Sequence, residues 1–195
     1  MKKLLIATHN AGKLKEFAKL FENKFEVLSL PYNGFDGEAE ETGKTFYENA
    51  LLKAKFVHDN TGELVLADDS GLCVNALNGE PGIYSARYGG ENSTQAQKNS
   101  LLLSRLEKYS DRSAKFVCTL VLYGNGRVLA SGYGETLGLI LQQAKGEGGF
   151  GYDPLFFSDD LKMSFGECTA EQKNGVSHRS RAIKDLIKNM NNLQF

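Results

Sequence analysis

Two adjacent carboxylates and a serine, directly after an apolar run, are the densest chemical signal in this chain: Leu64-Val65-Leu66-Ala67-Asp68-Asp69-Ser70-Gly71-Leu72. The apolar residues read as the end of a buried strand. A strand holds its terminal side chains rigidly enough to fix a metal ion or a water. Successive strand residues point to opposite faces, so Asp68 and Asp69 are expected to do different work. Taken alone, Asp-Asp-Ser-Gly also suits an ordinary polar turn. Its company decides between the two.

Thr8-His9-Asn10-Ala11-Gly12-Lys13 lies between an expected strand and an expected helix. Backbone N–H groups at a helix start, with an ammonium nearby, form an anion site suited to phosphate. Gly12-Lys13 does not complete a Walker P-loop, because the GxxxxGK[ST] spacing is missing and Leu14 follows the lysine. A plain turn with a solvated lysine explains the segment equally well. Glu38, Glu40 and Glu41 precede a helix carrying Lys53 and Lys55. Acid runs in loops are usually solvated, but one glutamate close to Asp69 would complete a Mg²⁺ site, since Mg²⁺ takes few protein carboxylates. Lys53 reaches a phosphate only if its helix borders the site; otherwise it is a surface lysine.

Gly146-Glu147-Gly148-Gly149-Phe150-Gly151-Tyr152-Asp153-Pro154 offers aromatic rings for stacking on a planar base, with Asp153 placed to bind a ring edge or a lysine. The alternative is a tight turn whose rings fill core. Lys173-Asn174-Gly175-Val176-Ser177-His178-Arg179-Ser180-Arg181 sets cationic and polar groups ahead of an amphipathic helix, with Ser177 as its expected N-cap. Together the acids, lysines, stacking loop and basic cluster make the kit of a metal-dependent nucleotide hydrolase. The residues by themselves leave the base and the cleaved bond open.

The elements that must position these groups alternate along the chain. Strands are expected at 3–7, 25–30 and 64–68, with 72–77 pairing beside the last. Helices are expected at 11–22, from a Thr45-Phe46-Tyr47-Glu48 capping box to about Asn60, at 93–109, and from Arg179 to Asn192. Residues 114–123 and 127–134 alternate about Gly124-Asn125-Gly126, a hairpin signal. Long glycine-rich loops are expected at 31–43, 78–90 and 146–153. The pattern predicts a mixed α/β fold with an antiparallel portion.

With 195 residues the chain is expected to form one domain, or one domain with a lobe. A net charge of −1 gives no electrostatic footprint for nucleic acid. No apolar run reaches the roughly 18 residues of a membrane span. The apolar run after Lys2-Lys3 stops at Thr8-His9-Asn10, too short for a signal peptide. Cys73, Cys118 and Cys168 are odd in number and widely spaced, as expected of reduced thiols in a cytoplasmic protein.

The stretches THNAGKLKEF, ETGKTFYENALLKA, ADDSGLCVNALNGEPGIYSARYGG, GFGYDPLFF and EQKNGVSHRSRA, in this order, closely resemble the inosine triphosphate pyrophosphatase family. The resemblance spans nearly the whole chain. It implies a single nucleoside-triphosphate pyrophosphatase domain over residues 1–195: an elongated mixed β-sheet flanked by helices, two lobes around a central substrate cleft, and a homodimer. It implies Mg²⁺-dependent hydrolysis of ITP, dITP and XTP to the monophosphate and pyrophosphate. By the same resemblance Asp69 is the general base, and Glu41 and Asp69 lie near the metal. Thr8, Asn10 and Lys13, with His9, Ala11 and Gly12 in the same turn, and Lys53, contact the triphosphate. Ser70 adds a substrate contact. Phe150, Gly151, Tyr152 and Asp153 form the base-binding loop, and Lys173, His178 and Arg179 read the purine's oxo edge. His9, Ala144, Cys168 and Gln172 depart from the family's usual residues without removing a proposed catalytic group.

Overall fold

The computed structural model describes residues 2–22 and 24–190. Seven strands form one mixed sheet in the order β2-β1-β3-β4-β5-β6-β7. They are β1 (Lys2–Ile6), β2 (Phe25–Ser29), β3 (Val65–Val74), β4 (Ser113–Gly124), β5 (Arg127–Ile140), β6 (Phe156–Ser158) and β7 (Met163–Ser164). β1 runs parallel to both β2 and β3, while β6 is antiparallel to β5 and β7. Among the described residues five α-helices accompany them: α1 (Ala11–Leu20), α2 (Phe46–Thr61), α3 (Gln95–Leu106), α4 (Ala170–Val176) and α5 (His178–Met190). The expected mixed α/β architecture is therefore present.

The chain divides into two compact units, residues 1–69, 118–134 and 179–195, and residues 70–117 and 135–178. In the first unit the sheet is buried on both faces. Leu4, Ile6 and Leu66 pack with Phe17 and Phe21 of α1 and with Ala182, Ile183 and Leu186 of α5. On the opposite face, Leu5, Val65 and Ala67 pack with Ala50, Ala54 and Val57 of α2. Parallel strands covered on both faces carry continuous apolar runs, which is what Leu64 to Ala67 displays. In the second unit, Phe116, Tyr152, Phe156 and Phe165 pack with Leu102 and Leu106 of α3.

Some local expectations change. The Asp68-Asp69-Ser70-Gly71 stretch is no turn: β3 continues through it for ten residues, absorbing the separate strand expected at 72–77. The ladder survives because both carboxylates find cations, as described below. The hairpin turn at Asn125-Gly126, with φ of +53° and +71°, is as expected, but β5 extends to Ile140, well beyond Gly134. Ahead of the expected final helix, residues 170–176 form a further helix, α4, opened by a capping box between Thr169 and Gln172. Thr45 caps α2 by accepting from Glu48 N–H at 3.1 Å. The Glu48 carboxylate, however, accepts from Lys44 N–H at 2.6 Å, so the reciprocal half of the box lies one residue early. The expected extension of the last helix to Asn192 lies outside the described residues.

Among the described residues no helix is long and apolar enough to cross a membrane. All three cysteines are free thiols, and burial pushes the Cys118 thiol up to about 12.

Candidate active site

The first unit gathers its charges around Asp68 and Asp69, and strand alternation sorts them. Asp68 shares the face of Leu66, towards α1 and α5. Lys13 Nζ lies 2.8 Å from its Oδ2 and Arg179 Nη2 lies 3.5 Å from the same atom. Arg179 also pairs with Glu16 of α1 and lies over the Phe17 ring, 5.5 Å from its centroid. Burial alone would push the Asp68 carboxyl up. Lys13, Arg179 and Lys53 overcome that and hold it well below the usual carboxylate range. The guanidinium is 1% exposed, and its two carboxylate neighbours outweigh its own desolvation to keep it charged.

Asp69 shares the face of Val65 and Ala67, towards α2. Asn49 Nδ2 donates to its Oδ2 at 3.1 Å, and Lys53 Nζ stands 3.7 Å from its Oδ1. Lys53 reaches back to Glu41 Oε1 at 2.7 Å, so one ammonium bridges two acids. Burial raises the Asp69 carboxyl. Lys53 opposes the shift, and the nearby Glu41 carboxylate adds to it. For Lys53, desolvation pulls downward and the charges of Asp69, Asp68 and Glu41 win, raising it. Two neighbouring residues of one strand thus end with opposite shifts: Asp68 is a locked anion, and Asp69 is a carboxylate of enhanced basicity.

The turn before α1 is built as a helix start. Asn10 Oδ1 accepts from Lys13 N–H at 3.1 Å, and Thr8 Oγ1 accepts from Asn10 N–H at 3.2 Å. Ala11 and Gly12 form the first turn of α1, and Lys13 projects to Asp68. His9 Nε2 lies 2.8 Å from Asp36 Oδ1, on the loop that leads to Glu41. The structure therefore brings Lys13, Glu41, Lys53, Asp68, Asp69 and Arg179 into one unit. Ser70 follows on β3, half-buried, as the first residue of the second unit.

In the second unit, Asp153 Oδ2 accepts from Phe150 N–H at 2.8 Å and from Lys173 Nζ at 2.7 Å. Lys173 Nζ sits 4.5 Å from the centroid of the Phe150 ring and 5.6 Å from that of Phe165. Gly149 is required here: its φ is +73°, and a Cβ would come within 2.2 Å of Asp153 Oδ2. The His178 ring stacks on Phe116, with centroids 4.8 Å apart and planes 16° off parallel. Gly151, at φ +63°, turns the loop. Tyr152 is core, with its hydroxyl donating to Ser85 O at 3.0 Å. Phe150 is half-buried over the lysine. Arg179, grouped with Lys173 and His178 in the sequence reading, is instead engaged by Asp68 and Glu16 in the first unit.

Two residues escaped the sequence reading. Asn49 is fully buried against Asp69. Glu16 anchors Arg179. The signal for Asn49 was available, since Asn49, Ala50, Lys53, Ala54 and Val57 recur at helical spacing on one face. A polar residue on that stripe had to be bonded. Among the described residues no group of three or more His, Cys, Asp and Glu side chains is arranged to hold a metal ion.

A locked anion held by two cations and a carboxylate of raised basicity facing an ammonium thus stand on adjacent residues of a buried strand. The chain matches the Ham1 family over residues 4–189. It is 48% identical over 186 residues to the dITP/XTP pyrophosphatase of Geobacter sulfurreducens, covering 94% of each chain. With the dITP/XTP pyrophosphatase of Bacillus subtilis it shares 43% identity over 191 residues, 96% of each. Its fold superposes on the Ham1 protein of Staphylococcus aureus with a TM-score of 0.84 at 41% identity, covering 94% of this chain and 95% of that one. The HAM1 protein from Coxiella burnetii gives a TM-score of 0.88 at 37% identity, covering 99% and 100%. This chain belongs to the Ham1 family, which bears out the resemblance read from its five motifs.

Two measurements check this electrostatic arrangement. Asp68→Asn leaves Lys13 and Arg179 without their shared anion, so urea denaturation should show a loss of about 3–5 kcal/mol; a loss under 1 kcal/mol would refute the anchoring role. The Asp69 carboxyl, followed by ¹³C NMR in metal-free protein, should titrate above its ordinary value of about 3.9. Removing the neighbouring anion in Glu41→Gln should move that midpoint down.

Proposed function

We propose that this chain hydrolyses non-canonical purine nucleoside triphosphates, ITP, dITP and XTP, to the nucleoside monophosphate and pyrophosphate. The observation that carries the reading is the Asp69 environment: a buried carboxylate raised by burial, steered by Asn49 and faced by Lys53, one residue from a carboxylate already committed to Lys13 and Arg179. The names of the relatives point to the same reaction.

Asp69 accepts a proton from water as the water oxygen bonds to the α-phosphorus, and the α–β phosphoanhydride bond breaks with the electron pair leaving on pyrophosphate. A base must lie within hydrogen-bonding reach of its water, and a carboxylate raised above its usual value is the stronger proton acceptor. Lys13 and Lys53, with the N–H groups at the start of α1, stabilise charge on the phosphates and on the departing pyrophosphate. Thr8, Asn10 and Ser70 complete the phosphate contacts.

Glu41 and Asp69 fit Mg²⁺ in part. Both are oxygen donors, and Lys53 already marks the ground between them as a place for positive charge. Two carboxylates make an incomplete shell, as is usual for Mg²⁺, which takes its remaining ligands from substrate phosphates and water. When bound, the ion neutralises triphosphate charge and polarises the reacting phosphate.

For the base, Lys173 and His178 supply donors suited to a 6-oxo group, and Phe150 supplies a ring face. Adenine carries a 6-amino donor at that position and would leave buried donors unpaired, which is costly. Guanine shares the 6-oxo group, so its rejection must arise at the 2-position. We propose further that the enzyme acts as a homodimer in the cytoplasm. The net charge of −1 favours a small-molecule substrate over nucleic acid.

Pyrophosphate release from ITP, XTP, GTP, ATP and dUTP, assayed side by side with Mg²⁺ and with EDTA, tests the reading. Rapid release from ITP and XTP only, abolished by EDTA, is expected, and Asp69→Asn should cut it by orders of magnitude while ITP still binds. Activity confined to dUTP would overturn the base assignment, and binding without turnover would overturn the reaction. Phe150→Ala should raise KM for ITP by an amount equivalent to about 1–3 kcal/mol if the ring stacks on the base; an unchanged KM would remove it from the site.

A further inference from the structure

We infer that Asn49 is a positioning residue for the reaction: its carboxamide ties the backbone of the loop carrying Glu41 to the Asp69 carboxylate. The inference rests on the pyrophosphatase reading above and adds a group to it. Asn49 is 0% exposed on the inner face of α2, four residues before Lys53. Its Oδ1 accepts from Gly43 N–H at 2.8 Å, which commits its Nδ2 to the other side, where it donates to Asp69 Oδ2 at 3.1 Å. The amide orientation is therefore dictated by a donor on one side and an acceptor on the other, and no flipped arrangement satisfies both.

The consequence for Asp69 is directional. With Oδ2 held by Asn49, Oδ1 is turned towards Lys53 Nζ. A carboxylate on a single Cβ retains a soft terminal torsion, so a bond to one oxygen sets where the other points. The consequence for Glu41 runs through the main chain. Gly43 lies two residues beyond Glu41, and the next two residues are also fastened to α2: Lys44 N–H donates to Glu48 Oε2 and Thr45 caps the helix. The last turn of the loop is thus pinned to the helix that delivers both Asn49 and Lys53. The fit is tight. A Cβ on Gly43 would stand 2.6 Å from Asn49 Oδ1 and 2.7 Å from Glu48 Cβ. A leucine or alanine at 49 would fill the helix face as well as asparagine, but would leave Gly43 N–H and Asp69 Oδ2 without these bonds.

Three variants separate positioning from packing. Asn49→Ala removes both bonds, Asn49→Asp keeps an acceptor for Gly43 and removes the donor to Asp69, and Gly43→Ala leaves Asn49 intact but displaces it. Each should lower kcat for ITP by about tenfold to a hundredfold, the cost of a small misplacement of a reacting group. KM should stay within about twofold, because Lys13, Lys53 and the base contacts remain. Thermal melts and circular dichroism establish the folded fraction, and kcat is referred to it. If Asn49→Ala does not fold, Asn49→Asp and Gly43→Ala decide. Variants with wild-type kcat and a lowered Tm would show a purely structural amide and overturn the inference. A rise in KM at constant kcat would overturn it too. Wild-type turnover of ITP is the control: its absence would sink the pyrophosphatase reading, whereas active wild type with active variants would sink only the role of Asn49.

Discussion

Burying two carboxylates side by side on one strand is the constraint from which the first unit's organisation follows. A charge taken out of water is expensive unless it is paired and hydrogen-bonded. Because β3 alternates, the two acids face opposite ways, and each face brings its own nearest cation. α1 and α5 supply Lys13 and Arg179 to Asp68, while α2 supplies Asn49 and Lys53 to Asp69. The helices that cover the apolar residues of β1 and β3 are therefore the same helices that neutralise its charge.

The two faces are not neutralised equally, and the difference matters for chemistry. Asp68 has two cations at close range and loses basicity. Asp69 has one cation at longer range, shared with Glu41, and gains basicity from burial. The same residue type on adjacent positions thus ends with opposite shifts, one carboxyl held low and the other raised. The second unit repeats the economy with one acid. Asp153 holds the ammonium of Lys173 against the Phe150 ring and also bonds the backbone of Phe150, so the loop's shape and the lysine's place depend on one carboxylate. Gly149 gives that carboxylate its room.

Much of this was legible before the fold was known. Continuous apolar runs marked the parallel strands, helical spacing marked α1, α2 and α3, and Asn125-Gly126 marked the hairpin. The acid pair, the helix-start lysine and the glycine-rich aromatic loop stood out by residue type. Legibility failed where tertiary partners override local preference. Asp-Asp-Ser-Gly suits a turn because isolated carboxylates disfavour a buried strand, and partners such as Lys13, Lys53, Asn49 and Arg179 make that strand possible. The helix over residues 170–176 had no clear periodic signal because it is short and polar, although Thr169 and Gln172 form its capping box. The residues alone left Lys53 open between site and surface because its burial depends on which helix face meets the sheet.

The sequence by itself determined the chemistry available: which carboxylates, lysines and rings exist, the order in which strands and helices present them, and the family to which the pattern belongs. Opposite facings for Asp68 and Asp69 followed from the sequence only on condition that the strand ran through both, since alternation is a property of the strand. Only the tertiary structure decided which acid is locked and which is basic, that Arg179 serves Asp68 and Glu16, that Tyr152 is core, and that Asn49 joins the Glu41 loop to Asp69. Those outcomes depend on distances between residues far apart in the chain. Desolvation and Coulomb interaction, which set them, are functions of position in space and not of position in sequence.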